Sequence, residues 1–114
     1  MHDFDLVTFF YAYHDVTYLG VDRAEMNKAF YDALKPGGEL VVGDYSAKPG
    51  TGTNDVKTLH RSDEAPVRSE IEAAGFKLID HGDFLHVAGD ARDTPSHSAA
   101  EPVDIYMLKF RKPG

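Results

Sequence analysis

The chain has 114 residues, 42% of them hydrophobic and 27% charged, which suits one domain with a single core and leaves no room for two. Lysine and arginine total 12 against 19 aspartate and glutamate residues, giving a formal charge of −7. No basic stripe is present to follow a phosphate backbone, so we expect no nucleic-acid partner. The absence of cysteine excludes disulfides, thiolate metal sites and cysteine nucleophiles.

The apolar stretches bear on localisation. Charged residues interrupt them well before the roughly 20 residues that a membrane span requires. The acidic start at residues 1–5 does not resemble a basic signal peptide. We therefore expect a cytoplasmic protein without membrane contact.

The first half of the chain predicts a strand, a helix and a second strand. Residues 5–13 are rich in β-branched and aromatic side chains, which predicts a strand buried on both faces. From Asp22 the apolar residues recur at helical spacing until the Pro-Gly-Gly at 36–38 ends the predicted helix. Residues 40–45 predict a second buried strand, and the glycines and prolines of 48–54 predict a loop.

The second half predicts one more helix and two strands. Capping residues at 62–64 begin the helix, Gly75 ends it, and a third strand begins directly afterwards at Phe76. Residues 87–102 are small, polar and charged, so we interpret them as a flexible loop with a functional role. The alternating pattern of 103–111 predicts a last strand, antiparallel to the third.

This order of elements predicts a single α/β domain over residues 1–114, with three parallel strands, a last antiparallel strand and two main helices. Both helices belong to right-handed crossovers, so we expect them to cover the same face of the sheet. The other face and the edge of the first strand are then left apolar and bare. Such surfaces tend to pair, and we expect a homodimer.

Three motifs carry a family resemblance. The run LKPGGELVVGD at 34–44 and the run EIEAAGF at 70–76 resemble the turns before the fifth and sixth strands of class I S-adenosylmethionine-dependent methyltransferases. The run FFYAYHD at 9–15, with LHR at 59–61, resembles a bacterial subfamily that carries YHD after the fourth strand and KTLHR after the fifth. The resemblance extends from residue 5 to residue 112 and covers the C-terminal half of that fold.

The resemblance implies a truncated Rossmann-like fold and methyl transfer from S-adenosylmethionine to a small acceptor. In the family, the cofactor lies on a glycine-rich turn after the first strand, with an acidic residue after the second strand. This sequence shows neither, and the glycines at 50–52 are not followed by a helix N-terminus that completes an anion site. We expect that another polypeptide supplies the N-terminal half, or that the chain is a truncated descendant, inactive by itself as a methyltransferase.

Residues suited to chemistry follow the two predicted parallel strands, at the edge where open α/β sheets bind ligands. The resemblance implies that His14 or Asp15 faces the methyl acceptor, where a histidine accepts a proton and a carboxylate orients the acceptor. The alternative is a helix-capping aspartate beside a solvated histidine. The candidate catalytic residues are His14, Asp15, Asp44 and His60. The candidate substrate-binding residues are Tyr11, Tyr13, Tyr45 and Arg61.

The sequence is also compatible with a metal site and with two other functions. Two histidines and two carboxylates suit zinc, iron or manganese, but their spacing is not a metal-binding motif, and we favour a hydrogen-bonded cluster without metal. One alternative function is a non-catalytic interaction module that uses the first strand and the bare face. The other is a small His/Asp-based hydrolase, metal-assisted or not, formed in a dimer cleft.

Overall fold

The computed structural model describes residues 3–98 and 102–114. In chain order its elements are β1 (Phe4–Phe10), α1 (Tyr13–Tyr18), α2 (Arg23–Ala33), β2 (Leu34–Tyr45), α3 (Glu64–Ala73), β3 (Lys77–Gly82), a 3-10 turn (Ser96–Ser98) and β4 (Ile105–Arg111). The four strands form one sheet in the order β1-β2-β4-β3. Within the described ranges, no helix combines the length and the apolarity needed to cross a membrane.

The α/β architecture with one reversed strand is confirmed. β1 and β2 are parallel, and β4 is antiparallel to both of its neighbours. β4 pairs with β3 as predicted, but it also pairs with β2, so β2 and β3 are not neighbours. The reason lies in the side chains: Tyr106, Leu108 and Phe110 of β4 are buried, whereas Asp80 and His81 of β3 are exposed. The apolar strand takes the interior place and the polar strand the edge.

The first strand differs from its prediction in extent and in burial. β1 ends at Phe10, Tyr11 has a left-handed φ of 57°, and Tyr13 already belongs to the short helix α1, which the sequence pattern does not predict. Alternate residues of β1 face solvent, with Leu6 53% and Phe10 44% exposed. The expectation of burial on both faces is therefore wrong, because β1 is an edge strand that is covered from one side only.

Both main helices cover the same face of the sheet, as their crossovers predict. The ring of Tyr31 in α2 contacts Phe76 after α3, with centroids 5.1 Å apart, and Phe76 lies 6.3 Å from Phe110 of β4. The buried cluster on this side comprises Tyr13, Leu34, Leu40, Val42, Val67, Ile71, Phe76, Tyr106, Leu108 and Phe110. On the opposite face Val41 and Met107 are only half-buried, since no described helix packs there.

The two main helices begin differently. Asp22 caps α2, and its carboxylate accepts a hydrogen bond from the backbone N–H of Glu25 at 3.1 Å. Asp63 occupies the equivalent position before α3, but its carboxylate accepts from the N–H groups of Gly50 and Gly52 at 2.9 and 3.2 Å. Asp63 therefore ties the loop after β2 to the start of α3.

Leu108 tests the core on the helix-covered face. Replacement of this fully buried residue in Leu108→Ala should lower the free energy of unfolding by about 2–5 kcal/mol, because it leaves a cavity between β4 and the helices. The matched control is Leu19→Ala, at a position that is 72% exposed, which should change it by about 0.5 kcal/mol or less. Urea titrations followed by circular dichroism measure both values, and similar losses in the two variants would contradict a core centred on Leu108.

Candidate functional site

An open cavity of about 430 Å³ lies at the carboxyl ends of β1 and β2. This is the edge at which open α/β sheets bind their ligands. One wall is formed by residues that directly follow β1 and by the last residue of β2. The other wall is formed by residues of the segments that precede α3 and β4. The lining residues are Tyr11, His14, Asp15, Tyr45, His60, Ser96 and His97.

A buried histidine–carboxylate pair forms the base of the cavity. The Nδ1 atom of His14 lies 2.7 Å from Oδ1 of Asp44, and the backbone N–H of His14 donates to Oδ2 at 2.8 Å. Both side chains are almost completely inaccessible, at 5% and 0% exposure. An ionised carboxylate only accepts hydrogen bonds, so Nδ1 of His14 carries the hydrogen and Nε2 is the atom left for the cavity.

Asp44 is held in turn by neighbours from other parts of the chain. Its Oδ1 accepts from the backbone N–H of Tyr45, and its Oδ2 accepts from the hydroxyl of Ser62, each at 2.8 Å. The Ser62 hydroxyl has one hydrogen, which it donates to Asp44, so it accepts from the Tyr106 hydroxyl at 2.8 Å. Burial, and then the charge of Asp44, raise the pKa of Tyr106 well above its usual value, so this phenol keeps its proton.

The surroundings of His14 favour its protonated form. Burial by itself lowers the pKa of His14, but the hydrogen bond to Asp44 and the charges of Asp44 and Asp15 outweigh this, so the net pKa is raised above 6.5. The outer atom, Nε2, lies 3.2 Å from Oδ1 of the exposed Asp15. A proton taken up at Nε2 is thus stabilised from both sides of the ring.

Aromatic and imidazole rings surround the opening of the cavity. Tyr11 stacks on Tyr45, with centroids 5.0 Å apart and an interplanar angle of 24°. The ring of His60 stands edge-on to His14 at 5.7 Å and to His97 at 4.8 Å. The cavity therefore combines a flat apolar wall with a cluster of imidazoles.

Three of the candidate residues lie outside the cavity. Asp44 lies behind His14 and acts through it. Tyr13 is buried in the core, where its hydroxyl donates to Glu70 and accepts from Asn27, both at 3.0 Å. Arg61 is also buried, and all of its described hydrogen bonds go to protein groups: the carbonyls of Ser46 and Thr94 and the carboxylate of Asp90. The structure thus places Tyr13 and Arg61 where they support the fold and do not line this cavity.

Ser96 and His97 line the cavity although the sequence pattern does not single them out. The Ser96 hydroxyl donates to the carbonyl of His60 at 3.0 Å, and its N–H donates to the carbonyl of Leu59 at 2.9 Å. These bonds bring the segment before residue 98 back to the sheet edge. The only signal in the sequence is the length and polarity of this excursion, which does not say which of its residues return.

Comparison with solved structures identifies the fold. No protein-family profile matches the chain, and none of the curated proteins matches it by sequence. The N-methyltransferase NodS from Bradyrhizobium japonicum is similar to it with a TM-score of 0.61 and 18% identity, over 100% of this chain and 53% of NodS. An S-adenosylmethionine-dependent methyltransferase from Mesorhizobium loti is similar with a TM-score of 0.61 and 16% identity, over 97% of this chain and 64% of the other.

The chain has a class I methyltransferase-like fold. A third structure of this kind is the Haloferax volcanii complex between the Trm112 methyltransferase activator and a methyltransferase, with a TM-score of 0.63 and 13% identity, over 98% of this chain and 55% of the other. The chain spans between about half and two thirds of the length of these structures. Identities this low show a shared fold alone, and the chemistry of this methyltransferase-like chain depends on its own residues.

Several groups of the described residues that could hold a cofactor are already engaged within the protein. Two glycine amides that could hold an anion, those of Gly50 and Gly52, already donate to Asp63. At the sheet edge the oxygens of Asp44 already accept hydrogen bonds from the protein. What this edge of the methyltransferase-like fold does offer is Nε2 of His14, beside an open cavity.

The raised pKa of His14 predicts a pH-dependent stability. A group whose pKa is higher in the folded than in the unfolded chain stabilises the fold, and this contribution is complete at a pH below the pKa of the unfolded state. The contribution is lost as the pH rises through the pKa of the folded state. The free energy of unfolding should therefore fall as the pH rises above 6.5, the ordinary pKa of histidine, and His14→Asn should remove this part of the slope. Urea titrations at several pH values measure it. The control His81→Asn, at an exposed histidine outside the cavity, should keep the slope, and an unchanged slope in His14→Asn would contradict the assignment.

Proposed function

We propose that this chain forms the acceptor-binding side of an S-adenosylmethionine-dependent methyltransferase. The observation that carries the proposal is the His14–Asp44 pair, which presents one imidazole nitrogen to an open cavity at the ligand-binding edge of a methyltransferase-like sheet. The solved structures with this fold include S-adenosylmethionine-dependent methyltransferases, which supports the same methyl donor here.

His14 is the proton acceptor in this proposal. Methylation of a hydroxyl or an amine releases a proton, and Nε2 of His14 is the nitrogen that faces the cavity. Asp44 keeps the ring oriented and stabilises the imidazolium that forms, so it is a positioning residue. Asp15 lies 3.2 Å from Nε2 and orients the acceptor or the transferred proton.

The cavity favours a small, flat acceptor. Its volume of about 430 Å³ lies within the range of sites for small molecules. Tyr11 and Tyr45 stack on each other and form an aromatic wall to one side of His14. An aromatic or heteroaromatic hydroxyl or amine would pack against that wall while its polar group reaches Nε2.

The edge strand β1 is the surface for the part that binds the methyl donor. Its outer edge is unpaired in the described sheet, and Leu6 and Phe10 are 53% and 44% exposed. An N-terminal methyltransferase half would add its strands there, and a second copy of the chain is the other partner that fits an exposed strand edge. The Haloferax volcanii methyltransferase, solved with an activator protein, supports association of this fold with a protein partner.

Substitution of Leu6 tests this association. Leu6→Lys places a charge on the exposed side of β1 and should shift the assembly to a lower mass in light scattering, with little change in the free energy of unfolding. Leu19→Lys, at an exposed position in the segment after α1, is the matched control and should leave the mass unchanged. Phe9 is a poorer choice, because its ring packs against Phe30 and Tyr13 and a charge there would destabilise the core. Identical masses for the two lysine variants and the parent chain would contradict the role of the edge.

Methyl transfer is the direct test of the proposed function. The natural protein, purified from its host with any partner that accompanies it, should transfer a radiolabelled methyl group from S-adenosylmethionine to a small molecule in a host extract. His14→Gln should slow the transfer by about 10²–10⁴-fold, because the proton acceptor is lost. His81→Gln, at an exposed position outside the cavity, should not slow it. Failure of the natural protein to bind or use S-adenosylmethionine would overturn the proposal.

A further inference from the structure

We infer that the same cavity is a binding site for a divalent transition-metal ion, held by Nε2 of His14, the carboxylate of Asp15 and the imidazole of His60. This inference goes beyond the proposed methyl transfer and does not require it. Each of the three side chains offers one ligand atom, and all of these atoms lie within 4.8 Å of one another. The three residues come from two separate segments of the chain that meet only in the folded protein.

The spacing of the ligand atoms agrees with the size of such an ion. Zinc ligands of the nitrogen and oxygen type lie about 2.0–2.2 Å from the ion, so neighbouring ligand atoms are roughly 3–3.6 Å apart. Nε2 of His14 and Oδ1 of Asp15 are 3.2 Å apart and already have this separation. The ligand atom of His60 lies within 4.8 Å of both, and this half-buried side chain has room to adjust toward them.

Asp44 prepares His14 for this role. A histidine ligand typically donates its other ring N–H to a carboxylate, which fixes the ring and makes the ligating nitrogen more basic. His14 has this arrangement, since Nδ1 lies 2.7 Å from the fully buried Asp44. The carboxylate oxygens of Asp44 also accept from Ser62 and from two backbone N–H groups, so Asp44 acts as a positioning residue and not as a ligand.

The backbone conformation of His60 and a hydrogen bond from Ser96 also orient the His60 ring. Its backbone has a left-handed φ of 52°, a conformation that is uncommon for a residue other than glycine. The hydroxyl of Ser96 donates to the His60 carbonyl and holds the turn in place. The backbone at His60 is thus held where its ring stands edge-on to His14.

The donor set indicates the class of ion. Two imidazoles and one carboxylate suit zinc, iron(II) or another first-row ion better than magnesium or calcium, which prefer oxygen ligands throughout. Three protein ligands beside an open cavity leave a coordination position for water or another molecule, as in catalytic rather than structural zinc sites. The exposed His97 also lines this cavity, with its ring centroid 4.8 Å from that of His60.

A metal ion and a proton cannot share Nε2 of His14. If the proposed methyl transfer holds, a bound ion therefore prevents His14 from accepting the proton of the acceptor. Metal binding and proton uptake are then alternative states of one nitrogen atom, and Asp44 supports both of them.

The test measures metal binding without any methyl donor. After dialysis against a chelator, the purified chain should bind Zn²⁺ with one-to-one saturation in a calorimetric titration, and Co²⁺ should give the visible absorption bands of a low-coordinate nitrogen–oxygen site. Asp15→Asn and His60→Asn should each weaken Zn²⁺ binding by about 10-fold or more, and Asp44→Asn should weaken it by roughly 10–100-fold. Asparagine is chosen at position 60 because it tolerates a left-handed φ.

Two histidines outside the cavity provide matched controls. His81, paired with Glu64, and His86, paired with Asp104, are both exposed, and His81→Asn and His86→Asn should leave Zn²⁺ binding unchanged. Circular dichroism of every variant separates loss of a ligand from loss of the fold. The inference is overturned if no saturable binding occurs, or if binding survives in folded Asp15→Asn and His60→Asn. Because no methyl transfer is measured, this result is independent of the test of the proposed function.

Discussion

The buried carboxylate of Asp44 is the constraint on which the site depends. A charge removed from water is costly unless hydrogen bonds compensate it, and Asp44 is completely inaccessible. It accepts hydrogen bonds from the backbone and ring of His14, from the backbone of Tyr45 and from the hydroxyl of Ser62. The Ser62 hydroxyl in turn accepts a hydrogen bond from Tyr106 of β4. One anion at the end of β2 therefore joins the start of α1, the approach to α3 and the central strand. The hydrogen bonds that compensate the Asp44 carboxylate therefore form only when all of these segments are folded together.

Much of the architecture follows from local sequence patterns. The helical spacing of apolar residues before the Pro-Gly-Gly of 36–38 and before Gly75 predicts the two main helices, because this spacing acts within a few residues. The cap predicted for α3 does not form, since the carboxylate of Asp63 binds Gly50 and Gly52 instead. The edge position of His14 and Asp44 also follows from topology, since the carboxyl ends of parallel strands meet at one edge. The two side chains, 30 residues apart in the sequence, meet at that edge.

The remaining features depend on contacts that no local pattern encodes. The interior place of β4 depends on which strand has the more apolar side chains to bury. The direction of the Tyr13 side chain depends on a helical turn that follows an unusual φ at Tyr11. The sequence around Arg61 does not distinguish it from a surface arginine, because the carbonyl and carboxylate groups that it binds lie up to 33 residues away in the chain. His97 meets His60 because of a long excursion whose return point is set by backbone hydrogen bonds. Residue type alone does not distinguish these cases.

Arg61 is the counterpart of Asp44 and lies behind the other wall of the cavity. Its guanidinium forms two hydrogen bonds with the carboxylate of Asp90 and donates to the carbonyls of Thr94 and Ser46. These bonds fasten the segment before Ser96 to the residue that directly follows β2. Burial by itself raises the pKa of Asp90, but the hydrogen bonds from Arg61 and from two backbone N–H groups outweigh it, so the net pKa is lowered and the pair stays ionised at neutral pH. A buried anion thus positions His14, and a buried cation positions the segment that carries His97. The imidazoles of the cavity meet because two separate charges, each compensated inside the protein, bring their segments to the same edge.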